Sequence, residues 1–249
     1  MAISKAKAKS GGWVENIKTI VYAGLIAIGI RTVLYEPFNI PSGSMIPTLL
    51  VGDYLFVSKY SYGYSHFSLP FAPDLFSGRI FARMPQRGDV AVFKYPRDTS
   101  VDYIKRIVGL PGDHIQVTNG QLYINGTEVP REAAGDYVTD DSGIHMVLRR
   151  YLEKLPGGVD HYILKATDEG EMNNTPVYVV PPDHIFAMGD NRDNSADSRF
   201  MNGVGFVPIE NLVGRAEILF FSVDAEYPWW EVWEWPFEIR WNRLFRPIH

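Results

Sequence analysis

An uncharged run from Thr19 to Ile30 limits what this chain can become more than any other stretch; Lys5, Lys7, Lys9 and Trp13 precede it and Arg31 closes it. A helix drawn from Ile17 to Tyr35 is about 28 Å long at ~1.5 Å per residue, close to the ~30 Å hydrocarbon core of a bilayer. Arg31 falls near its far end, where an aliphatic stem can carry the charge to the headgroups. A cleaved signal, an interfacial helix and a buried core helix compete with a spanning one. Cleavage needs small residues just past the apolar run, and Arg31-Thr32-Val33-Leu34-Tyr35-Glu36-Pro37 offers none. The expectation is a single signal-anchor over residues 17–35, with the basic residues 1–16 held in the cytoplasm and residues 36–249 on the outer side.

After Tyr35 no helical periodicity of comparable length occurs. Tyr54-Leu55-Phe56-Val57-Ser58, Asp89-Val90-Ala91-Val92-Phe93 and Tyr103-Ile104-Lys105-Arg106-Ile107-Val108 are short, rich in β-branched or aromatic residues, and bounded by Gly or Pro. Residues 114–129 hold two Asn-Gly pairs between alternating apolar positions, which predicts hairpins. Residues 60–87 and 131–175 are looser and read as insertions on this scaffold. The fold class expected is mainly β, an antiparallel domain with insertions behind one N-terminal transmembrane helix. A composition 46% hydrophobic and 14% aromatic, with 17 prolines, describes a folded, turn-rich protein. The net charge of -5 argues against a nucleic-acid partner. The chain has no cysteine, so neither disulfides nor thiolate metal sites contribute.

The chemistry gathers in three places. Pro41-Ser42-Gly43-Ser44-Met45-Ile46-Pro47-Thr48-Leu49 sets Ser44 between turn formers, where Pro41 fixes φ and Gly43 permits an unusual backbone. Read alone, it is equally an exposed turn. Lys105 interrupts an apolar strand. Burial would drive its pKa down from ~10.4 and make it a base for a nearby hydroxyl. The opposite reading, in which alternation turns Lys105 to solvent, stays open, although Arg106 would then face the core and is a poor core residue. The run Gly189 to Arg199 contains Asp190, Asp193 and Asp197, yet calcium-loop spacing fails from both Asp190 and Asp193. It reads as a hydrogen-bonded turn in which Asp197 pairs with Arg199 or another cation and Ser195 aims inward. The six histidines show no zinc-ligand spacing, and no metal or cofactor is expected.

Taken together these blocks, with Gly52-Asp53, Arg87-Gly88-Asp89 and Asn211-Leu212-Val213-Gly214-Arg215-Ala216, resemble bacterial type I signal peptidases, membrane-anchored Ser/Lys proteases that remove signal peptides. The chain differs from that pattern in showing one N-terminal span, a longer Phe200–Val204 link, and Ala187 where bulkier residues occur. The resemblance implies an antiparallel β protease domain with Ser44 as nucleophile and Lys105 as general base. It implies an oxyanion hole from the Ser44 N–H and the Ser42 hydroxyl, with Ser195 holding the lysine and Asp197 and Arg199 bracing the turn. Phe38, Ile40, Met45, Leu49, Tyr103 and Ile104 would line pockets for small residues of an Ala-X-Ala site. Secretory precursors and membrane phospholipid are the partners so implied, at a bacterial inner membrane with the domain on the periplasmic side. Trp229 to Phe237 reads either as an interfacial segment or as an aromatic cluster packed on the domain. Two further readings remain: a self-cleaving repressor with the same dyad, and a membrane-anchored β module without catalysis.

Overall fold

The structure, a computed structural model, describes residues 12–69, 71–141, 144–224 and 238–249. Lys5, Lys7, Lys9 and the Trp229–Phe237 segment lie outside the described residues. Helix α1 runs Gly12–Val33, so it starts before the expected Ile17 and ends two residues short of Tyr35. Its 22 residues span about 33 Å. Leu34 N still donates to Ile30 O, at 2.8 Å, but Tyr35 already opens strand β1 (Tyr35–Asn39). Pro37 is the local cause: it has no N–H to donate and disfavours helical backbone at Glu36. None of the apolar window of α1 is buried, and Ile20 is 70% exposed.

β1 pairs antiparallel with β2 (Asp53–Ser58), Tyr35 opposite Ser58. Then come β3 (Val90–Tyr95), β4 (Asp98–Gly109), β5 (His114–Thr118), β6 (Gln121–Ile124), β7 (Thr127–Glu128), β8 (Arg131–Asp141), β9 (Ile144–Leu155) and β10 (Val159–Lys165). β11 (Tyr178–Val179), β12 (His184–Met188), β13 (Val207–Pro208), β14 (Leu212–Ser222) and β15 (Arg246–Pro247) follow among the described residues. The main sheet is ordered β1-β2-β14-β3-β4-β12-β13, with β15 along β14. A second sheet, β11-β5-β6-β7, contains the expected hairpins. Asn119, Gly120, Asn125 and Gly126 all have positive φ, as two-residue turns between right-twisted strands require.

Residues 60–69 and 71–87 are irregular, with short 3-10 turns and a bridge between Tyr64 and Ile80. Residues 131–175 are not. They carry a third antiparallel sheet, β10-β9-β8, whose strands reach 11 and 12 residues. Charges on both faces hide the alternation that would have announced it: Arg131, Glu132 and Asp136 in β8, and Arg149, Arg150, Glu153 and Lys154 in β9. Cross-strand pairs join these strands, including Lys154 with Glu132 at 2.6 Å and Arg150 over the Tyr162 ring at 5.2 Å, while Leu148, Leu155, Ile163 and Leu164 are buried.

One apolar cluster, with Leu55, Val57, Val90 and Val92, fills the space beneath the β1–β2 connection. Another joins β5 and β6 to Phe186 and Met188 of β12, so the main sheet packs against the second one through β12. Close approach of β14 to β2 depends on Gly214, where a Cβ would stand 2.3 Å from Ser58 O. Gly214→Ala is expected to lower the unfolding free energy by about 1–3 kcal/mol in a denaturant titration; an unchanged midpoint would contradict the close approach.

Candidate active site

β1 hands the chain to a single 3-10 turn, Gly43–Met45, that carries Ser44. Ile40 N donates to Asp53 O at 2.8 Å, which fixes the turn's entry against β2. Met45 and Leu49 are wholly buried in the first apolar cluster and plug the turn into the core. Asn191 clasps it from the other side: its N–H donates to Ser44 O and its Nδ2 to Gly43 O, each at 3.1 Å. Gly43 does not have positive φ, so the unusual backbone expected of it is not used. Gly189 has the stricter role, since a Cβ there would meet Ser195 Oγ at 2.2 Å and Ser44 O at 2.6 Å. Among the described residues the Ser44 N–H has no acceptor, and the Ser42 hydroxyl makes no capping bond.

Lys105 reaches this turn from β4. Its Nζ is 2.7 Å from Ser44 Oγ and 2.9 Å from Ile104 O, and it lies 5.4 Å from the centre of the Tyr103 ring. The residue is only 4% exposed, which answers the question that alternation left open. Burial pulls its pKa down to about 8, against the opposing pull of Asp197 and Asp190.

Arg106, the neighbour that alternation made a poor core residue, is also buried, on the opposite face of the strand. Asp190 makes this possible. It accepts from Arg106 Nε at 2.9 Å and from Nη2 at 2.7 Å, while Gly88 O accepts from Nη1 at 2.8 Å. Burial alone would raise the Asp190 carboxyl, but Arg106 and the Thr48 hydroxyl, 2.6 Å away, hold it below its ordinary value. Two adjacent cations thus enter the interior with different partners. The guanidinium meets a carboxylate; the amine meets a hydroxyl and loses basicity.

The third sheet supports the loop from behind. Leu164 N donates to Asp190 O at 2.9 Å and Arg192 N donates back to Leu164 O at 3.0 Å, so the loop runs as a parallel bridge beside β10. Arg192 forks onto the buried Glu153 carboxylate of β9, and His161 of β10 lies 3.3 Å from Glu153 and 3.8 Å from Asp190. Asp197 pairs with Arg199 at 2.8 Å and accepts from Gly189 N at 3.0 Å. Burial would raise Asp197, and Arg199 reverses that. Ser195 is brought close but not joined: its buried Oγ faces Asp197 without reaching hydrogen-bond geometry, and the amine's partners are Ser44 and Ile104.

A groove of about 750 Å³ opens over Ser44 and Lys105, walled by Phe38, Ile40, Val92, Tyr103, Ile104 and Ala196 and rimmed by Ser42 and Asn194. Met45 and Leu49 were expected on this wall; they lie beneath it, in the core. Ala187 is buried away from the groove, so its small side chain does not alter the wall. Sequence reasoning passed over Arg106 with Asp190, Glu153 with Arg192, and His161. A charge inside an apolar strand was the one signal available for the first pair. Nothing in the loosely patterned 131–175 segment singled out Glu153 or His161. No group of three or more potential metal ligands occurs among the described residues.

Residues 13–221 match the family model described as signal peptidase, peptidase S26. The chain is 42% identical over 243 residues to a signal peptidase I of Rickettsia conorii, covering 90% of this chain and 89% of that one. It is 41% identical over 254 residues to a signal peptidase I of Rickettsia typhi, with 94% of each covered. A crystal structure of a signal peptidase I from Enterococcus faecalis is 27% identical and covers 53% of this chain and 97% of its own, with a TM-score of 0.32.

Asp190→Ala leaves the buried Arg106 without its carboxylate partner, an expected loss of about 3–5 kcal/mol by denaturant unfolding. Replacing both partners with apolar residues, Arg106→Met with Asp190→Leu, should recover much of it. Leu49→Ala should cost about 2–5 kcal/mol as a core cavity; full stability would return Leu49 to the groove wall.

Proposed function

The chain belongs to the signal peptidase, peptidase S26 family and is a serine endopeptidase, and we propose that it removes signal peptides from secretory precursors with Ser44 as nucleophile and Lys105 as general base. The observation that carries this reading is the 2.7 Å separation of Nζ and Oγ in a buried site where the lysine's pKa falls to about 8. A neutral amine accepts the hydroxyl proton as Oγ attacks the scissile carbonyl. The oxyanion formed is met by the Ser44 N–H and the Ser42 hydroxyl, a pair in which one lost donor costs about 10²-fold to 10³-fold in kcat. The lysine returns its proton to the leaving amine, then draws one from the water that opens the acyl-enzyme. Ser195 is proposed to take up the amine when substrate tightens the site, with Asp197 and Arg199 bracing its turn.

The groove suits an extended peptide. β1 is an edge of the main sheet, and β4 is joined by β12 only at residues 106–109, so Pro37–Ile40 and Val101–Lys105 present free backbone on two sides. Apolar walls set close to the nucleophile favour small side chains, the Ala-X-Ala pattern. Helix α1, uncovered along its apolar window and uncharged from Thr19 to Ile30, is proposed to span the bacterial inner membrane once, with residues 1–16 inside and the β domain on the periplasmic side. A precursor held in the same bilayer then meets the groove at raised effective concentration, and phospholipid is part of the working environment.

Cleavage of a precursor bearing an Ala-X-Ala site, in detergent with phospholipid, tests the assignment. Folded Ser44→Ala and Lys105→Ala are each expected to lose about 10⁴-fold or more in kcat; near-full rate in Lys105→Ala would remove it as the base. Because the base must be neutral, kcat/KM should fall about tenfold per pH unit below a pKa of about 8 and level off above it. A flat profile from pH 6 to 9 would contradict a titrating lysine.

A further inference from the structure

Asn191 is a buried amide, 6% exposed, whose bonds all serve to join the loop after β12 to the turn that carries Ser44. Its backbone is set from the far side, because the flanking Asp190 O and Arg192 N–H both bond Leu164 of β10. Its own carbonyl accepts from Asn194 N at 3.0 Å, which closes the loop on itself. From this fixed point its N–H reaches Ser44 O and its Nδ2 reaches Gly43 O, so one residue holds two consecutive carbonyls. Ile46 N also donates to Gly43 O, at 3.2 Å, but that bond lies inside the 3-10 turn and moves with it.

Whatever fixes a carbonyl fixes the N–H across the same peptide bond. The Gly43–Ser44 peptide is trans, and in a planar trans unit the N–H points opposite to the carbonyl. Gly43 O turned to Asn191 therefore sends the Ser44 N–H away from Asn191. Ser42, Gly43 and Ser44 line the groove and Asn191 does not, so away from Asn191 is toward the groove. The Ser44 N–H has no acceptor of its own among the described residues to hold it there. A single 3-10 turn with poor bond geometry gives such a plane little stiffness.

We propose that Asn191 is the positioning residue of the oxyanion site: its side-chain amide anchors the Gly43–Ser44 peptide with the Ser44 N–H aimed into the groove. This rests on the reading of Ser44 as the nucleophile whose N–H receives the oxyanion. Asn191 touches neither substrate nor Lys105, and acts only through that peptide. A plane released from it keeps the groove walls and the Ser44–Lys105 contact but presents a misaimed donor. The cost then falls on the transition state and not on substrate binding. Through the Leu164 bridge, the third sheet becomes part of the machinery that sets this donor.

Asn191→Leu removes the amide at similar size and keeps the backbone bond to Ser44 O; Asn191→Ala removes it without adding apolar bulk. Both are made in the full chain and checked by denaturant unfolding. Each is assayed on a precursor bearing an Ala-X-Ala site and on two short Ala-X-Ala peptides, one ending in an aldehyde and one in the corresponding alcohol. The aldehyde carbon bonds Ser44 Oγ, its π pair moves to the carbonyl oxygen and the hydroxyl proton passes to Lys105, so its affinity reports the oxyanion site. The alcohol reports the groove alone.

The expected result is a fall of about 10-fold to 10²-fold in kcat, with KM and alcohol affinity held within about twofold. Aldehyde affinity should weaken in step with kcat/KM, and the midpoint of the pH profile should stay where it is. Unchanged kcat in a folded variant overturns the proposal. Equal losses for aldehyde and alcohol, a displaced midpoint, or failure of both variants to fold also overturn it, since Asn191 would then serve the groove, the lysine or the fold. If the unaltered protein neither cleaves the precursor nor prefers the aldehyde to the alcohol, the reading of Ser44 beneath the proposal is what fails.

Discussion

Two adjacent cations on one strand, both withdrawn from water, govern this structure. Burying a charge costs several kcal/mol unless a partner compensates, and β4 resolves the problem twice in different ways. Arg106 takes the Asp190 carboxylate in a forked pair, which pins the loop after β12 against β4. Lys105, on the other face, has no carboxylate within bonding distance among the described residues and meets Ser44 instead. The strong pair sets the geometry, and the weak one is left with the chemistry.

The same loop explains the third sheet. Asp190 to Arg192 is hydrogen-bonded to β10 at Leu164, and Arg192 is gripped by Glu153 of β9, so a segment with a largely exposed, charged surface has its buried end in the site. Lys165 continues the attachment through Asn173 at 2.7 Å and Asp193 at 3.4 Å. The loop can therefore hold Asn191 on the Ser44 turn with little freedom. A nucleophile on a short turn needs such support, because a displacement of about 1 Å can remove most of its advantage.

Much of this was legible from residue order. The Asn-Gly turns require positive φ at both positions, and the apolar strands are short and bounded by breakers, so hairpins and main-sheet strands emerged where the pattern put them. Lys105 and the Asp197–Arg199 pair stood out as charges in unusual settings, whereas Ser44 sits in a commonplace Ser-Gly-Ser turn and took its role from the resemblance of the ordered blocks. Partnerships between distant segments could not be read: Arg106 and Asp190 are 84 positions apart, and no local rule joins them. The strands of residues 131–175 were hidden because charged residues on both faces break the alternation, although Leu148, Leu155, Ile163 and Leu164 are buried. Met45 and Leu49 were placed on the groove wall by resemblance, yet the 3-10 turn sends them into the core, where they hold the nucleophile in place.

The central claim is that burial lowers the Lys105 pKa to about 8, so that a usable fraction of the amine is neutral near neutral pH while it touches Ser44. The most direct measurement is an NMR titration of the protein carrying lysine labelled at Cε and Nζ, with the Lys105 signal assigned by its loss in Lys105→Arg. The account predicts a midpoint of about 8 for that signal. A midpoint near the ordinary lysine value of ~10.4 would contradict it, since the amine would then be protonated wherever the enzyme works.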